Sequence, residues 1–339
     1  MSSIFKNRFY IWSASAKRRC KASVALRSVS MKAKFILFFF GFIFSYPLFL
    51  VHASFPDLGV SVRPMGMGGA YIGVAEDASA PLWNPAGLIQ IRQRELITTY
   101  SALYVGLNAQ LFTGAEDRLG YHFVSYAHPI RTSKDVVAVS WLFFDSAFYD
   151  EQTYVFTYAK RLTPQLSGGV GTKILHVSIA SNEYTRADPD LANAPLAQTG
   201  ATIDLSLLYA LSDRVQIGIS GENLLPTEIG ILQTEDLPMK WGVGVAHRTE
   251  NWVRVIDFVW RDQRVNAKRD INIRLGIERW LFQRQVGIRA GYNVRTITVG
   301  ASYRYGKRTQ AQLDYAFLFP IGSISDTFGS HRVGLSIRF

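Results

Sequence analysis

The 339-residue chain predicts an all-β fold: a 14-stranded antiparallel transmembrane β-barrel with an N-terminal plug. Three observations predict it. From Glu95 onward, apolar and polar residues alternate with period two in one short segment after another. The connections between these segments alternate between tight and longer, which is the rim asymmetry of outer-membrane barrels. The last segment, residues 331–339, alternates to its end and terminates on Phe339.

The first element is a targeting region, residues 1–53. Lys32 and Lys34 precede an apolar stretch over residues 35–51, and Val51 and Ala53 place small side chains where a signal peptidase cuts. Pro47 interrupts the stretch, and a run of this length is marginal for a helical span. The expectation is cleavage after Ala53, with Met31 able to serve as the translation start because a well-formed signal begins there. Nine of the 37 Lys and Arg residues, no Asp or Glu, and the single cysteine, Cys20, lie in this region. What remains carries 28 basic against 26 acidic residues, a net of +2, so the basic balance belongs to targeting and nothing points to nucleic acid. An exported chain without cysteine is held by hydrogen bonds and burial alone.

The second element is residues 54–94. Gly66, Gly68 and Gly69 relax the backbone, and Pro64, Pro81 and Pro85 each remove a donor, so this stretch is neither one helix nor one strand. A compact irregular segment ahead of a barrel predicts a plug. Asp77 is placed to cap a helix through Ala78, Ser79 and Ala80, and Asn84 before Pro85 is a turn former.

The third element, residues 95–339, divides into fourteen strands. Their approximate spans are 95–104, 117–130, 135–146, 152–162, 166–180, 201–212, 215–225, 238–249, 252–263, 270–281, 285–293, 295–306, 311–322 and 330–339. Ile271, Ile273, Leu275 and Ile277 alternate with Asn272, Arg274, Gly276 and Glu278, which makes one face apolar and the other polar. Tight connections follow even-numbered strands, as at Asp213-Arg214 and Glu250-Asn251, and the longest connection, residues 181–200, follows an odd one. Asn293-Val294 is the tight exception. Trp141, Tyr154, Trp241, Trp252, Trp260 and Trp280 fall toward strand ends, where a headgroup-level aromatic belt sits. The inward face is expected to hold Asp204, Asp257, Arg274, Glu278, Arg289, Arg304, Asp314, Arg332 and Arg338, charges of both signs that pair across strands.

The stretch Arg63-Pro64-Met65-Gly66-Met67-Gly68-Gly69-Ala70, with residues 75–80 and Trp83-Asn84-Pro85-Ala86-Gly87-Leu88, resembles the N-terminal signature of PorV/PorQ-like outer-membrane proteins. Those proteins belong to the superfamily of the fatty-acid transporter FadL. The resemblance implies that Asn84, Pro85 and Ala86 belong to a hatch inside the barrel, and that the chain resides in the bacterial outer membrane after delivery by the barrel-assembly machinery. It implies passive transport of hydrophobic small molecules, or alternatively PorV-like assistance to protein secretion of the type IX kind. In the transport case, Leu191, Ala194, Pro195 and Leu196 of the longest connection form an apolar capture surface. The third strand contains neither Gly nor Pro to mark the kink that makes a side opening in FadL.

Enzymatic and cofactor chemistry has little support. The Gly66–Gly69 cluster lacks the preceding strand and following helix of a dinucleotide site. His122, His128, His176, His247 and His331 show no metal spacing, and no Ser/His/acid set stands out. No catalytic residue, metal or cofactor is expected.

Overall fold

The computed structural model describes residues 59–106, 119–146, 149–191, 194–232, 234–263, 268–306, 308–321 and 327–339. Residues 1–53, expected from the sequence to be a targeting region cleaved after Ala53, lie outside these residues. Fourteen strands form a closed barrel in which each pairs antiparallel with its sequence neighbours and the first closes on the last. They are β1 (Glu95–Ala102), β2 (Gly120–Pro129), β3 (Val136–Asp145), β4 (Tyr149–Arg161), β5 (Leu166–Ile179), β6 (Ala197–Ala210) and β7 (Val215–Glu222). The return half is β8 (Met239–Arg248), β9 (Trp252–Gln263), β10 (Lys268–Leu281), β11 (Val286–Asn293), β12 (Thr296–Tyr305), β13 (Gln310–Pro320) and β14 (Ser330–Arg338).

The alternation decides which face meets which medium. On β10 the isoleucines 271, 273 and 277 and Leu275 point outward and are exposed, while Arg274 and Glu278 point inward and are buried. The same holds on β14, where Val333 and Leu335 face out and Arg332 is 1% exposed. A soluble sandwich would turn its apolar face inward. An apolar exterior around a closed sheet is the solution for lipid, because closure satisfies every wall amide without leaving an edge.

The loop rule holds with amendments. Three odd connections are as tight as the even ones rather than one, since residues 146–148 join β3 to β4, residues 264–267 join β9 to β10 and residues 294–295 join β11 to β12. Because β6 begins at Ala197, the connection over 180–196 is no longer than the one over 103–119. It carries a short helix, α1 (Glu183–Ala187). Trp280 departs from the aromatic belt: it faces inward, 2% exposed, with the Arg304 guanidinium 4.2 Å from its ring centre.

Two features of the wall bear on passage. β3 pairs along its whole length on both sides, with residues 120–129 of β2 and 150–159 of β4, so the wall is continuous there. The β6–β7 ladder is the shortest, only residues 205–210 against 216–221. Beyond it, the segment after β7 takes over the β6 edge: Leu224 N donates to Ile203 O at 2.9 Å, and Thr227 Oγ1 donates to Ala201 O at 2.7 Å.

Inside lies the plug. After Ser61 come a five-residue helix (Val62–Gly66) and two 3₁₀ turns, Ala80–Leu82 and Pro85–Gln90, each opened by a proline near its start. Tyr71, Val74, Ala75, Leu88 and Ile89 form its core and pack on small inward residues such as Ala127, Ala138 and Ala159.

Candidate functional site

The site is built where the plug meets the wall. Arg63, in the plug helix, is its hub and is 6% exposed. Its Nε and Nη2 donate to the two carboxylate oxygens of Glu278 on β10, at 2.9 and 2.7 Å. Nη2 also donates to Glu76 at 2.6 Å, and Nη1 to the Tyr71 hydroxyl at 3.0 Å, which in turn donates to Asp77 at 2.5 Å. The chain of charges continues around the wall. Arg289 of β11 donates to Glu278 at 2.7 Å and to Asp314 of β13 at 2.9 Å, and Arg248 of β8 pairs with Glu76. Each member of this chain thereby faces a charge of opposite sign, the condition on which buried ions are tolerated.

Burial alone would raise the Glu76 carboxyl, but Arg248 and Arg63 outweigh it and hold the group down at about 2. For Tyr71, burial pushes the phenol well above its ordinary value, against the pull of Arg63.

Hydrogen bonds continue the attachment strand by strand. Asp257 of β9 accepts the Tyr71 and Ile72 amides at 2.6 and 2.9 Å. Glu95 of β1 accepts the Ala78 amide at 3.0 Å while paired with Arg338 of β14 at 2.8 Å. Arg332 donates to Gly59 O at 2.7 Å, and Ser125 of β2 to Ala78 O at 2.5 Å.

Wall glycines supply the space. Gly276 and Gly291 sit directly opposite each other on β10 and β11. A methyl group on Gly291 would lie 2.0 Å from Gly68 N, and one on Gly276 would lie 2.7 Å from Met67 O. Only bare backbone lets the plug lie this close. The plug glycines answer them. Gly68, at φ +68°, sits so close that a Cβ would meet Tyr292 N at 2.6 Å, whereas Gly69, at φ +76°, and Gly66 have ordinary to tight neighbours.

Each residue expected from the sequence has a definite place. Asn84 is fully buried and caps the turn Pro85–Gln90, accepting from Ala86 N at 3.1 Å. Its amide donates to Ile72 O at 2.9 Å and to Leu207 O of β6 at 3.1 Å, and Ala86 N donates to Ser206 Oγ at 2.8 Å. The Asn84-Pro85-Ala86 element is thus fastened to β6. Asp77 does not cap an α-helix as the sequence predicts. No α-helix follows; instead its Oδ1 accepts from Ser79 N at 3.0 Å and Ser79 Oγ at 2.5 Å, an Asx turn ahead of the 3₁₀ segment. Leu191, Ala194 and Leu196 are half-buried and Pro195 is exposed in the β5–β6 connection, and none of them lines the lumen cavities.

Of the expected inward charges, Asp204 pairs with Lys173 at 2.7 Å, and Lys173, Glu222 and Lys240 add a second cluster near the longer-loop rim. Glu76, Arg248, Lys173 and Glu95 went unread in sequence. Their positions at the buried phase of the alternation were the available signal for those on strands.

Above the plug, toward the longer-loop rim, two cavities of about 180 and 100 Å³ adjoin and share Gly59, Trp83, Lys240 and Arg261. Trp83 stands between them, its ring 6.2 Å from Tyr71 in an edge contact and 5.8 Å from the Arg274 guanidinium. A larger surface hollow, about 480 Å³, lies at the tight-turn rim beside Trp252 and Phe282. The lumen therefore offers a vestibule with a bonded floor.

No family model and no curated sequence matches the chain. Among solved structures it is similar to the CymD monoaromatic hydrocarbon channel at 14% identity, covering 84% of this chain and 97% of that one with a TM-score of 0.59. It is similar to the Ralstonia pickettii toluene transporter TbuX at 13% identity, covering 83% and 98% with a TM-score of 0.57. A Pseudomonas aeruginosa FadL homologue aligns at 13% identity over 81% and 96%, with a TM-score of 0.53. What these solved structures share with this chain is the overall barrel fold.

Proposed function

We propose that this protein resides in the bacterial outer membrane and lets small hydrophobic compounds cross passively, with its tight-turn rim toward the periplasm. The observation that carries this reading is the apolar-sided barrel with a small vestibule ending on a plug. An ion-conducting pore needs an open lumen, whereas here the plug is bonded to strands on every side. The similarity to hydrocarbon channels supports the same reading.

A compound would first meet the longer-loop rim, where Leu191, Ala194, Pro195 and Leu196 offer apolar surface, and then enter the vestibule beside Trp83. The continuous wall at β3 favours onward passage past a displaced plug over exit through a window at that strand. Gly66, Gly68, Gly69, Asp77, Asn84, Pro85 and Ala86 set how far the plug can move.

A second reading rests on the signature over Arg63–Ala70 and Trp83–Leu88, which resembles PorV/PorQ-like proteins: a barrel that assists protein secretion. The test is purification from outer membranes in mild detergent, with mass spectrometry of what accompanies the barrel, and uptake of hydrophobic probes into liposomes carrying it. Bound apolar small molecules with uptake above protein-free liposomes support transport. A stoichiometric protein partner without uptake supports secretion.

A further inference from the structure

The outer wall of the barrel carries cations at one corner of the tight-turn rim. Along β10 the outward residues Ile271, Ile273, Leu275 and Ile277 are apolar and exposed, and the next outward residue toward this rim is Arg279. On β9 the outward series that includes Phe258 reaches Arg254 and then Trp252. Both arginines are exposed. The register sets Arg254 opposite Ile277 and Arg279 opposite Trp252. Their guanidinium carbons lie 5.4 and 4.9 Å from the centre of the Trp252 ring. Among the described residues neither makes an ion pair, and Arg254 meets the His247 ring at 3.3 Å.

The surface hollow of about 480 Å³ opens beside this pair, with Trp252, Arg279, Leu281, Phe282, Asn251 and Glu250 in its lining. It lies between two turns that are tied together. Trp280 N donates to Asn251 O at 2.8 Å, and Arg284 Nη1 donates to Glu250 O at 2.8 Å. The second turn is strained: Phe282, Gln283 and Arg284, three consecutive residues other than glycine, have φ of 49°, 55° and 65°. Left-handed backbone is unfavourable for such residues, persists only where its surroundings hold it, and clusters at ligand sites. Here it presents Phe282, 72% exposed, at the edge of the hollow.

Cations on a lipid-facing wall are tolerated near the interface, where lipid headgroups supply the opposite charge. Stacking on an indole leaves the edge N–H groups of a guanidinium free to donate, and two such groups match the oxygens of a phosphate. We infer that Arg254, Trp252 and Arg279, with the hollow beside them, form a binding site for the headgroup of an anionic phospholipid. The phosphate accepts from the two arginines, and the polar end of the headgroup enters the hollow. The acyl chains run along the wall over Ile277 and Leu275, both exposed. Two cations against one lining carboxylate, Glu250, select a headgroup of net negative charge over a zwitterionic one. With the tight-turn rim toward the periplasm, this lipid belongs to the periplasmic leaflet. Lipid retention at the outer wall is independent of what crosses the lumen, so the inference stands or falls apart from transport.

The experiment is native mass spectrometry of the detergent-purified, delipidated barrel titrated with phosphatidylglycerol and phosphatidylethanolamine of identical chains. Wild type is expected to retain one phosphatidylglycerol about tenfold more tightly than phosphatidylethanolamine. Arg279→Gln and Arg254→Gln should each weaken phosphatidylglycerol about fivefold while leaving phosphatidylethanolamine within about twofold, which a misfolded barrel would not do. Trp252→Leu, which changes no charge, should also reduce the preference because it removes the ring that holds both guanidinium groups. Arg214→Gln, an exposed cation on another tight turn, should change nothing. Heat-modifiable gel migration confirms that each variant is folded. Equal retention of the two lipids by wild type, or a preference unchanged in Arg279→Gln, overturns the inference. A loss in Arg214→Gln as large as that in Arg279→Gln would reduce the site to general rim charge and overturn it as well. Glycerol phosphate, the headgroup without chains, separates the sources: displacement of the lipid by an equal concentration of it would mean a site for soluble phosphate instead.

Discussion

Arg63 and Glu278 stand 215 residues apart in sequence and meet through two parallel hydrogen bonds, at 2.9 and 2.7 Å, inside the barrel. One belongs to the plug and the other to the wall, so this pair is the principal charged link between them. Glu278 is fully buried, and its other cationic partner, Arg289, already serves Asp314.

Arg63→Met leaves Glu278 and Glu76 short of a partner in the barrel interior. Removal of one member of a buried pair costs about 3–5 kcal/mol. Urea or thermal unfolding followed by heat-modifiable migration should show that loss, and Arg63→Met with Glu278→Leu should recover part of it. A single variant as stable as wild type would show that the link is not holding the plug.

Glu76 makes the attachment sensitive to acid. Its folded value, about 2, lies below the ordinary 4.5, so the stabilisation is fully present above about pH 4.5 and fades as pH falls toward 2. Hydrogen-exchange protection factors in residues 61–94, taken against the intrinsic rate at each pH, should therefore fall between pH 4.5 and 3 in wild type. Glu76→Gln should exchange faster at neutral pH and respond less across that window. An identical pH response in the two proteins would remove Glu76 from the account.

Gly291→Val places side-chain atoms where Gly68 N and Met67 C now lie, 2.0 and 2.1 Å from an ideal Cβ. The wall ladders do not depend on the plug, so the barrel should still close while the plug is pushed from its seat. The measurement is uptake of a bulky polar antibiotic or single-channel conductance, both rising. Gly171→Ala, whose nearest neighbour would be 3.6 Å away, should change neither.

Leu275 projects outward, 42% exposed, near the middle of β10. Leu275→Arg should destabilise the folded barrel in bilayers by about 2–4 kcal/mol, the cost of a cation at mid-membrane. Equal stability would mean that this face does not meet lipid.

The barrel was legible because period-two alternation is a local property. β9 begins and ends where the pattern predicts, and β6 starts four residues sooner only because the polar run before Ala201 still pairs with β5. The inward charges were legible one by one for the same reason. Their partners were not, because Arg63 finds Glu278 only when strand register and barrel closure bring distant segments together. Gly276 and Gly291 passed as neutral members of the polar face, since a glycine's value here lies in the backbone it admits, which no single strand reveals. Asp77 kept its local role as an acceptor of a nearby amide, but Pro81 and the wall contacts turned the expected α-helix into 3₁₀ segments.

The short ladder between β6 and β7 has a mechanical consequence. A cylinder of hydrogen-bonded staves resists lateral load seam by seam, and this seam has the fewest rungs, with a folded-back segment rather than a strand fastening its upper part. Under bilayer tension or thickness change, compliance concentrates there, on the side of the lumen where Leu175, Ile229 and Leu237 form their own small cluster apart from the main core.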